Sequence, residues 1–361
     1  MTRSPTPTIL EVAREAGVSK TSVSRYLGGE RDRLSPSMQT RIATAITSLG
    51  YRPNWMARGL KGGQSRLLGM LVADIRNPFS TAVLHGAEQA CRAHGLSLLV
   101  CNTDNDAVLE RRHLEMLAAY RVEGMIINAA GDPGPALRRF ADPRTPVVLL
   151  DRQVSDLDAD IVGLDNALAI DQAFAHLHAQ GYRRLLYVSE PVTEASSRQA
   201  RLARVEACLA RHPEWRGETL GVALEAPGDA LATRLRRFLD SRDPAPGAIL
   251  CANGQVTLAV AQWLREAGVT LGPVGLMGID ELDWCALVGP GITTLAQPTA
   301  TLGASAVDCL VTRFSPEGRQ RPPRRLDYAG TLIPRGSTRR DSAPAPTTDF
   351  RSLSCPSLRT F

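Results

Sequence analysis

The sequence predicts an all-α N-terminal domain followed by a two-lobed α/β body with two doubly wound parallel sheets. Residues 8–27, TILEVAREAGVSKTSVSRYL, have the pattern of two short helices joined by a tight turn. From Leu67 onward, short apolar segments alternate with stretches of helical spacing, which is typical of parallel sheets covered by helices. The alternation starts again near Asn166 and therefore predicts a second, similar lobe. A chain of 361 residues is long enough for one small domain and two lobes.

Local signals mark the beginnings of the N-terminal helices. Thr8 and Glu11 form a T-x-x-E capping box, so the first helix begins near Thr8. Gly17 tolerates the sharp turn, and Ser19 can cap the second helix. A serine–proline pair at residues 35–36 starts a third helix, which closes one small core with the other two.

The outward side of the second helix carries side chains that can donate to base edges or phosphates, namely Lys20, Thr21, Ser22 and Arg25. Pattern alone also fits an ordinary helical hairpin that binds no DNA. Charge favours DNA binding, because residues 1–66 hold eleven Lys or Arg against four Asp or Glu, a net charge of +7. The whole chain carries +5, which leaves −2 for the rest. A basic module on a mildly acidic body is expected for phosphate binding.

In the body, polar residues follow the apolar segments LLGMLVA, VVLL, IVGL, GAILCA and VGLMGI. Ligands of such folds bind beyond the carboxyl ends of the strands, where two lobes can face each other across a cleft. The polar or aromatic residues expected near these ends are Asp74, Asn77, Phe79, Asp151, Arg152, Asp165, Asn166, Ser197, Arg201, Asn253 and Asp280. The alternative is that each Asp or Asn only caps the next helix. Their number favours a shared polar cleft.

No sequence feature indicates catalysis. A G-x-G-x-x-G after the first strand, a G-x-x-x-x-G-K-[ST] loop and a G-x-S-x-G elbow are all missing, so we expect neither an enzyme nor a cofactor. The seven cysteines form no C-x-x-C pair, and His176 and His178 face different ways on one predicted helix, so we expect no metal site. No apolar run of about eighteen residues and no secretory leader is present, which favours a cytoplasmic protein away from membranes.

The segments ILEVAREAGVSKTSVSRYL and SPSMQTRIATAITSLGYRPNWMARGLKGGQSRLLGMLVADIRNPF resemble the DNA-binding headpiece of the LacI/GalR family of bacterial transcription regulators. The resemblance implies that Lys20, Thr21 and Arg25 contact operator bases. It also implies a hinge helix over residues 54–60, in which Leu60 wedges between base pairs from the minor groove. The full set expected to contact DNA is Thr8, Ser19, Lys20, Thr21, Ser22, Ser24, Arg25, Asn54, Ala57 and Leu60. Two residues depart from the pattern of a strong hinge helix, the bulky Trp55 and the poor helix former Gly59. We therefore expect a hinge helix that folds only when the protein binds DNA.

The resemblance extends over residues 7–336 and implies a periplasmic-binding-protein-like body with an effector pocket. It places Asp74, Phe79, Arg201, Asn253, Asp280 and Gln297 in that pocket. Arg152, which follows VVLL, and Ser197, which begins the helix SSRQARLAR, complete the expected set. Carboxylates and amides suit sugar hydroxyls, whereas Arg152 and Arg201 together also suit a carboxylate. The stretches VCNTDND, LLDRQ, VGLDN and EASSR resemble regulators that sense sugar acids such as 2-ketogluconate or gluconate. A neutral sugar stays open as the alternative.

We therefore expect a sequence-specific repressor of carbohydrate or sugar-acid catabolic genes, controlled allosterically by a sugar-type effector. It would bind a pseudo-palindromic double-stranded DNA operator as a homodimer, with the segment from Phe79 to Arg92 in the interface. The alternative is a two-lobed sugar-binding receptor without DNA function, which would need a secretory leader and no headpiece. The expected organisation is a headpiece over 1–53, a hinge helix and linker over 54–63, an effector-binding and dimerisation body over 64–336, and a disordered tail over 337–361.

Overall fold

The chain forms two compact units, Met1–Arg66 and Leu67–Phe361. The computed structural model describes residues 7–52, 65–129, 137, 145–154, 157–192, 195–224 and 228–340. The expected hinge residues Asn54, Ala57 and Leu60 lie outside these residues.

In its described residues, the first unit contains the α-helices α1 (Ile9–Glu15), α2 (Lys20–Gly28) and α3 (Pro36–Ser48). The capping box predicted for α1 is present, because the Thr8 amide donates to the Glu11 carboxylate at 2.6 Å and the Glu11 amide donates to the Thr8 hydroxyl. Gly17 adopts a φ of +58° in the turn before α2, a conformation that favours glycine. The buried core of this unit consists of Val12, Ala13, Ala16, Val23, Leu34, Ile42 and Ala45.

The second unit is an α/β fold with two six-stranded sheets. Its strands are β1 (Leu67–Val72), β2 (Ser97–Asn102), β3 (Gly124–Ile127), β4 (Val147–Leu150), β5 (Asp160–Leu164), β6 (Arg184–Ser189), β7 (Arg216–Gly221), β8 (Gly247–Cys251), β9 (Gly275–Ile279), β10 (Thr293–Ala296), β11 (Arg325–Tyr328) and β12 (Thr331–Ile333). Its helices are α4 (Pro78–Ala93), α5 (Ala107–Ala119), α6 (Asn166–Ala179), α7 (Ser196–Arg211), α8 (Gly228–Leu239), α9 (Gly254–Glu266), α10 (Thr299–Thr312) and α11 (Pro316–Arg319).

Each sheet is the centre of one lobe. The first lobe has the strand order β11-β5-β4-β3-β1-β2, with all pairs parallel. The second has the order β12-β10-β9-β8-β6-β7, in which β12 alone pairs antiparallel. Helices α4 and α10 cover one face of the first sheet and α5 the other, while α6 and α7 lie opposite α8 and α9 on the second. Two doubly wound sheets were predicted and are confirmed.

Among its described elements, the chain passes between the lobes three times, from β5 to α6, from β10 to α10 and from β11 to β12. These crossings lie at residues 164–166, 296–299 and 328–331. The carboxyl ends of both sheets therefore lie near the same connecting segments, which places polar strand-end residues between the lobes.

The beginning of the expected disordered tail is corrected by the structure. Ser337 and Thr338 are fully buried in the second lobe. The Ser337 hydroxyl donates to the Leu276 carbonyl at 2.6 Å and accepts from the Thr293 amide at 2.8 Å, and Thr338 contacts His176. Their polarity indicated a tail, but these hydroxyls satisfy buried backbone groups. Residues 341–361 lie outside the described residues.

Six cysteines of the described chain are buried free thiols, at positions 91, 101, 208, 251, 285 and 309. Burial raises the pKa of Cys91 to about 11, so its thiol stays protonated near neutral pH. Within the described residues, no group of three or more His, Cys, Asp or Glu side chains is arranged to hold a metal ion. A search of the same residues finds no helix that is long and apolar enough to span a membrane.

Candidate functional site

The exposed surface of α2 carries the side chains that sequence analysis assigned to DNA. Ser19 caps this helix, since its hydroxyl accepts from the Ser22 amide at 3.1 Å. Lys20, Thr21 and Arg25 are exposed, and within the described residues their side chains have no hydrogen-bonding or ionic partner. Their donors are therefore available to phosphates or base edges. Ser24 is exposed on the same helix, whereas Thr8 is engaged in the capping box of α1.

A polar pocket lies between the two lobes at the carboxyl ends of the strands. All eight residues expected to bind an effector line it: Asp74, Phe79, Arg152, Ser197, Arg201, Asn253, Asp280 and Gln297. Further lining residues are Ala73, Asn77, Ser80, Asn105, Asn128, Asp151, Glu190, Ala195, Arg198 and Gln255. The strand-end positions thus converge on one cleft.

Several lining residues were missed by the sequence analysis. Asn128 and Glu190 directly follow β3 and β6, so the rule that found Asp151 would have found them. Asn105 lies in a turn with a φ of +57°, and Arg198 and Gln255 lie in the first turns of α7 and α9. No strand-end pattern identifies these last three.

Two of the strand-end residues, Asp165 and Asn166, hydrogen-bond to neighbouring groups of the protein and do not line the pocket. Asp165 caps α6, because its Oδ1 accepts from the Leu168 amide at 2.9 Å. Asn166 accepts from Arg201 Nε at 2.7 Å. Asn253 combines both roles, since it caps α9 and also donates to Glu190 within the pocket.

The pocket contains two buried guanidinium groups, one from each lobe. Arg201 on α7 is 4% exposed and donates from Nη1 to the Ala252 carbonyl at 2.6 Å, in addition to its bond with Asn166. Arg152 after β4 is 7% exposed and donates from Nη1 to the Ala129 carbonyl at 2.6 Å and to Asn105 at 3.2 Å. Burial lowers the pKa of Arg152, an effect that Asp151 opposes. In both arginines, Nη2 has no partner in the described chain and can donate to a ligand.

Carboxylates lie beside these arginines. Asp280 is buried and accepts from the Gly254 amide at 3.0 Å and from Gln297 Nε2 at 2.7 Å. Burial raises the pKa of Asp280, while Arg201 opposes the shift. Asp280 and Asp151, which end equivalent strands in the two lobes, have φ values of +81° and +62°. Such backbone strain often accompanies a binding site.

The remaining charges of the pocket form pairs. Arg198 contacts Glu190 at 2.8 Å, and Asp74 accepts from Arg76 Nε at 3.0 Å. Phe79, half-buried at the start of α4, offers an apolar ring among these polar groups. The arrangement can hold a small ligand that carries several hydroxyl groups, with a negative group beside the arginines.

Comparison with known proteins matches both units of the chain. Residues 8–54 match the family of bacterial regulatory proteins, lacI family, and residues 174–338 match the periplasmic binding protein-like domain. The HTH-type transcriptional regulator PtxS of Pseudomonas plecoglossicida is 51% identical over 332 residues, which cover 92% of this chain and 95% of the relative. The regulator KdgR of Bacillus subtilis is 37% identical, with coverage of 91% and 97%. The ribose operon repressor of Escherichia coli is 30% identical, with coverage of 91% and 99%.

The fold is also that of a solved repressor. A structure of the lac repressor dimer bound to operator and an anti-inducer superposes with a TM-score of 0.77 and 23% identity, covering 92% of this chain and 99% of that chain. Because PtxS, KdgR and the ribose operon repressor are 30–51% identical over 91–92% of this chain, the family expected from the headpiece motifs is confirmed, and the receptor without DNA function is not supported. The chain belongs to the LacI family of bacterial regulatory proteins and is a DNA-binding transcriptional regulator.

Proposed function

We propose that the chain represses genes of carbohydrate or sugar-acid catabolism and that a sugar acid in the interlobe pocket sets its affinity for the operator. One observation carries this proposal: each lobe contributes a buried arginine to the pocket lining, Arg152 or Arg201, and the Nη2 of each has no hydrogen-bond partner among the described residues. A carboxylate between them gains charge-assisted hydrogen bonds from both lobes at once. A neutral sugar brings no negative charge, so the positive charge of at least one buried guanidinium is less well compensated.

The rest of the pocket suits the hydroxyl groups of such an acid. Asp280, Asn253 and Gln297 supply acceptors and donors in close pairs, and Phe79 can cover an apolar face of the ligand. Among the relatives, the ribose operon repressor is named for a sugar operon, which supports an effector of sugar type. We propose neither a cofactor nor a catalytic step.

Thermal melting of the full chain against gluconate, 2-ketogluconate, neutral sugars and sugar phosphates tests the effector class. A ligand at a hundred times its dissociation constant stabilises the bound fold by about 2.7 kcal/mol, which raises the melting temperature measurably. A shift with the acids and none with their neutral counterparts is expected. A shift with a neutral sugar alone would contradict the proposal.

The headpiece supplies the DNA contacts of this mechanism. Lys20, Thr21 and Arg25 would contact operator bases in the major groove. Positioning contacts to phosphates would come from Thr8, Ser19, Ser22 and Ser24, and hinge contacts from Asn54, Ala57 and Leu60. The operator is read in the bacterial cytoplasm, which holds the chromosome.

The protein would act as a homodimer on a pseudo-palindromic operator. One side of α4 is occupied within the chain, since a Cβ at Gly86 would lie 2.3 Å from the Ala300 carbonyl oxygen of α10. The opposite side leaves His85 and Gln89 exposed, and in the second lobe Leu287 is 81% exposed. These surfaces would meet their counterparts in a second copy. Light scattering at micromolar concentration tests this, and a monomer or a stable tetramer would contradict it.

A further inference from the structure

Helix α7 begins at the pocket without a capping side chain of its own. Its N-cap residue is Ala195, and no side chain of the described chain caps the helix through that position. The other helices whose first turns line the pocket have side-chain caps, Asn77 for α4 and Asn253 for α9. The first amides of an uncapped helix and its dipole favour a negative group.

A carboxylate from the other lobe lies at this helix end. Asp151, directly after β4 of the first lobe, accepts from the Ser197 hydroxyl at 2.8 Å. The neighbouring Ser196 hydroxyl accepts from the Gln153 amide at 2.7 Å. Two adjacent hydrogen bonds therefore join the end of a first-lobe strand to the first turn of a second-lobe helix. Because Asp151 lines the pocket, this link lies within the ligand's reach.

The surroundings of Asp151 suit an anion, and among the described residues a single side-chain hydrogen bond holds the Asp151 carboxylate there. Arg201 lies on the same helix as Ser197, is 4% exposed and lines the pocket, and its Nη2 has no hydrogen-bond partner among the described residues. The second carboxylate oxygen of Asp151, Oδ1, is buried and has no hydrogen-bond partner among the described residues. Asp151 thus makes one of the hydrogen bonds that a carboxylate at this position could make.

We propose that Asp151 competes with the effector's carboxylate for the N-terminus of α7. This inference rests on the proposed function, in which the effector is a sugar acid. Two carboxylates cannot share the position without strong mutual repulsion, so binding of the acid drives Asp151 away from Ser197. The hydrogen bond between the lobes is then broken by the ligand's charged group, and a neutral sugar leaves it in place. Asp151 thereby makes the response depend on ligand charge.

The test is calorimetric titration of the full-length wild type and D151N with gluconate, 2-ketogluconate and the neutral polyol glucitol. Asparagine keeps the acceptor for Ser197 and tolerates the positive φ, so the substitution removes mainly the charge. The expected result is that D151N binds the acids about tenfold more tightly and glucitol as the wild type does. Unchanged or weaker binding of the acids would show that Asp151 does not compete and would overturn the proposal.

D165N is the matched control. Asp165 also follows a strand and accepts a hydrogen bond at the start of a helix, but it does not line the pocket. Its affinity for the acids should equal that of the wild type. A gain as large as that of D151N would indicate a general charge effect and would also overturn the proposal.

A second measurement separates this inference from the proposed effector class. If the wild type binds none of the acids, the effector class is wrong, whatever D151N does. Hydrogen exchange of the first turn of α7 still tests the contact between Asp151 and Ser197 without ligand. S197A and D151A should exchange several-fold faster there than the wild type, and equal rates would show that Asp151 does not hold this helix end.

Discussion

Replacing Arg201 with alanine tests the centre of the pocket. The side chain is 4% exposed and donates from Nε to Asn166 and from Nη1 to the Ala252 carbonyl, while Nη2 has no partner among the described residues and can donate to a ligand. R201A therefore removes both the ligand contact and the support of its two partners. Burial raises the pKa of Asp280, and R201A also removes the positive charge that opposes this rise.

The two losses have different magnitudes and different readouts. A guanidinium–carboxylate contact contributes about 3 kcal/mol, so affinity for the effector should fall at least about a hundredfold. Removing one member of a buried charged group costs about 3–5 kcal/mol in the free energy of unfolding. The body of R201A should therefore melt at a lower temperature, while the headpiece keeps its own core and its operator contacts.

The assay combines calorimetry with the effector, anisotropy of a labelled operator and thermal melting. R204A is the matched control, because Arg204 lies one turn further along α7, pairs with Asp171 at the surface and is absent from the pocket lining. R204A should respond to effector as the wild type does. An R201A protein that binds effector normally would refute the role of Arg201, and loss of operator binding in a folded R201A would show that the arginine is structural.

Three further predictions concern other parts of the chain. R25A should weaken specific operator binding by about 1–3 kcal/mol and relax sequence preference, as measured by anisotropy against operator and scrambled DNA; equal loss on both would assign Arg25 to phosphates. Asp160 is fully buried, and although burial raises its pKa, hydrogen bonds from Arg313 and a neighbouring arginine lower it overall. The ionised Asp160 carboxylate therefore stabilises the fold above its ordinary pKa of 3.8, and this stabilisation is lost as the pH falls through the lower pKa of the folded state. In urea unfolding, the difference in the free energy of unfolding between the wild type and D160N should shrink below about pH 4. G303A should destabilise the first lobe by about 1–3 kcal/mol, because a Cβ there would lie 2.2 Å from the Val83 carbonyl oxygen; an unchanged melting temperature would contradict this.

Local chemistry explains which features the sequence could predict. The capping box joins Thr8 and Glu11, which are three residues apart, so it can be predicted from the sequence without knowledge of the fold. Asp280 could be placed in the pocket because parallel strands bring their carboxyl ends to one edge. Both predictions needed only the order of elements along the chain.

Other features depend on contacts between distant segments. Strand β12 has three residues and pairs antiparallel at a sheet edge, so no apolar run indicates it. Ser337 is polar yet fully buried, because acceptors and donors of β9 and β10 happen to face it. The contact of Asp151 with α7 joins residues 46 positions apart in different lobes. Sequence could place each of these residues near an element but not against its partner.

The coupling between pocket and operator should depend on Gln297. This residue lies where the chain crosses from β10 to α10, and its Nε2 donates to Asp280 at 2.7 Å while its buried Oε1 has no partner in the described chain. A ligand that hydrogen-bonds to Gln297 therefore contacts one of the segments that connect the two lobes. Coupling is the ratio of operator affinities with and without saturating effector, and it departs from one whether the effector releases or recruits the protein. In Q297A that ratio should move toward one even when the pocket is saturated, because the segment between β10 and α10 no longer hydrogen-bonds to the ligand through this side chain. A ratio equal to that of the wild type at saturation would show that Gln297 contributes affinity alone and that another crossing carries the signal.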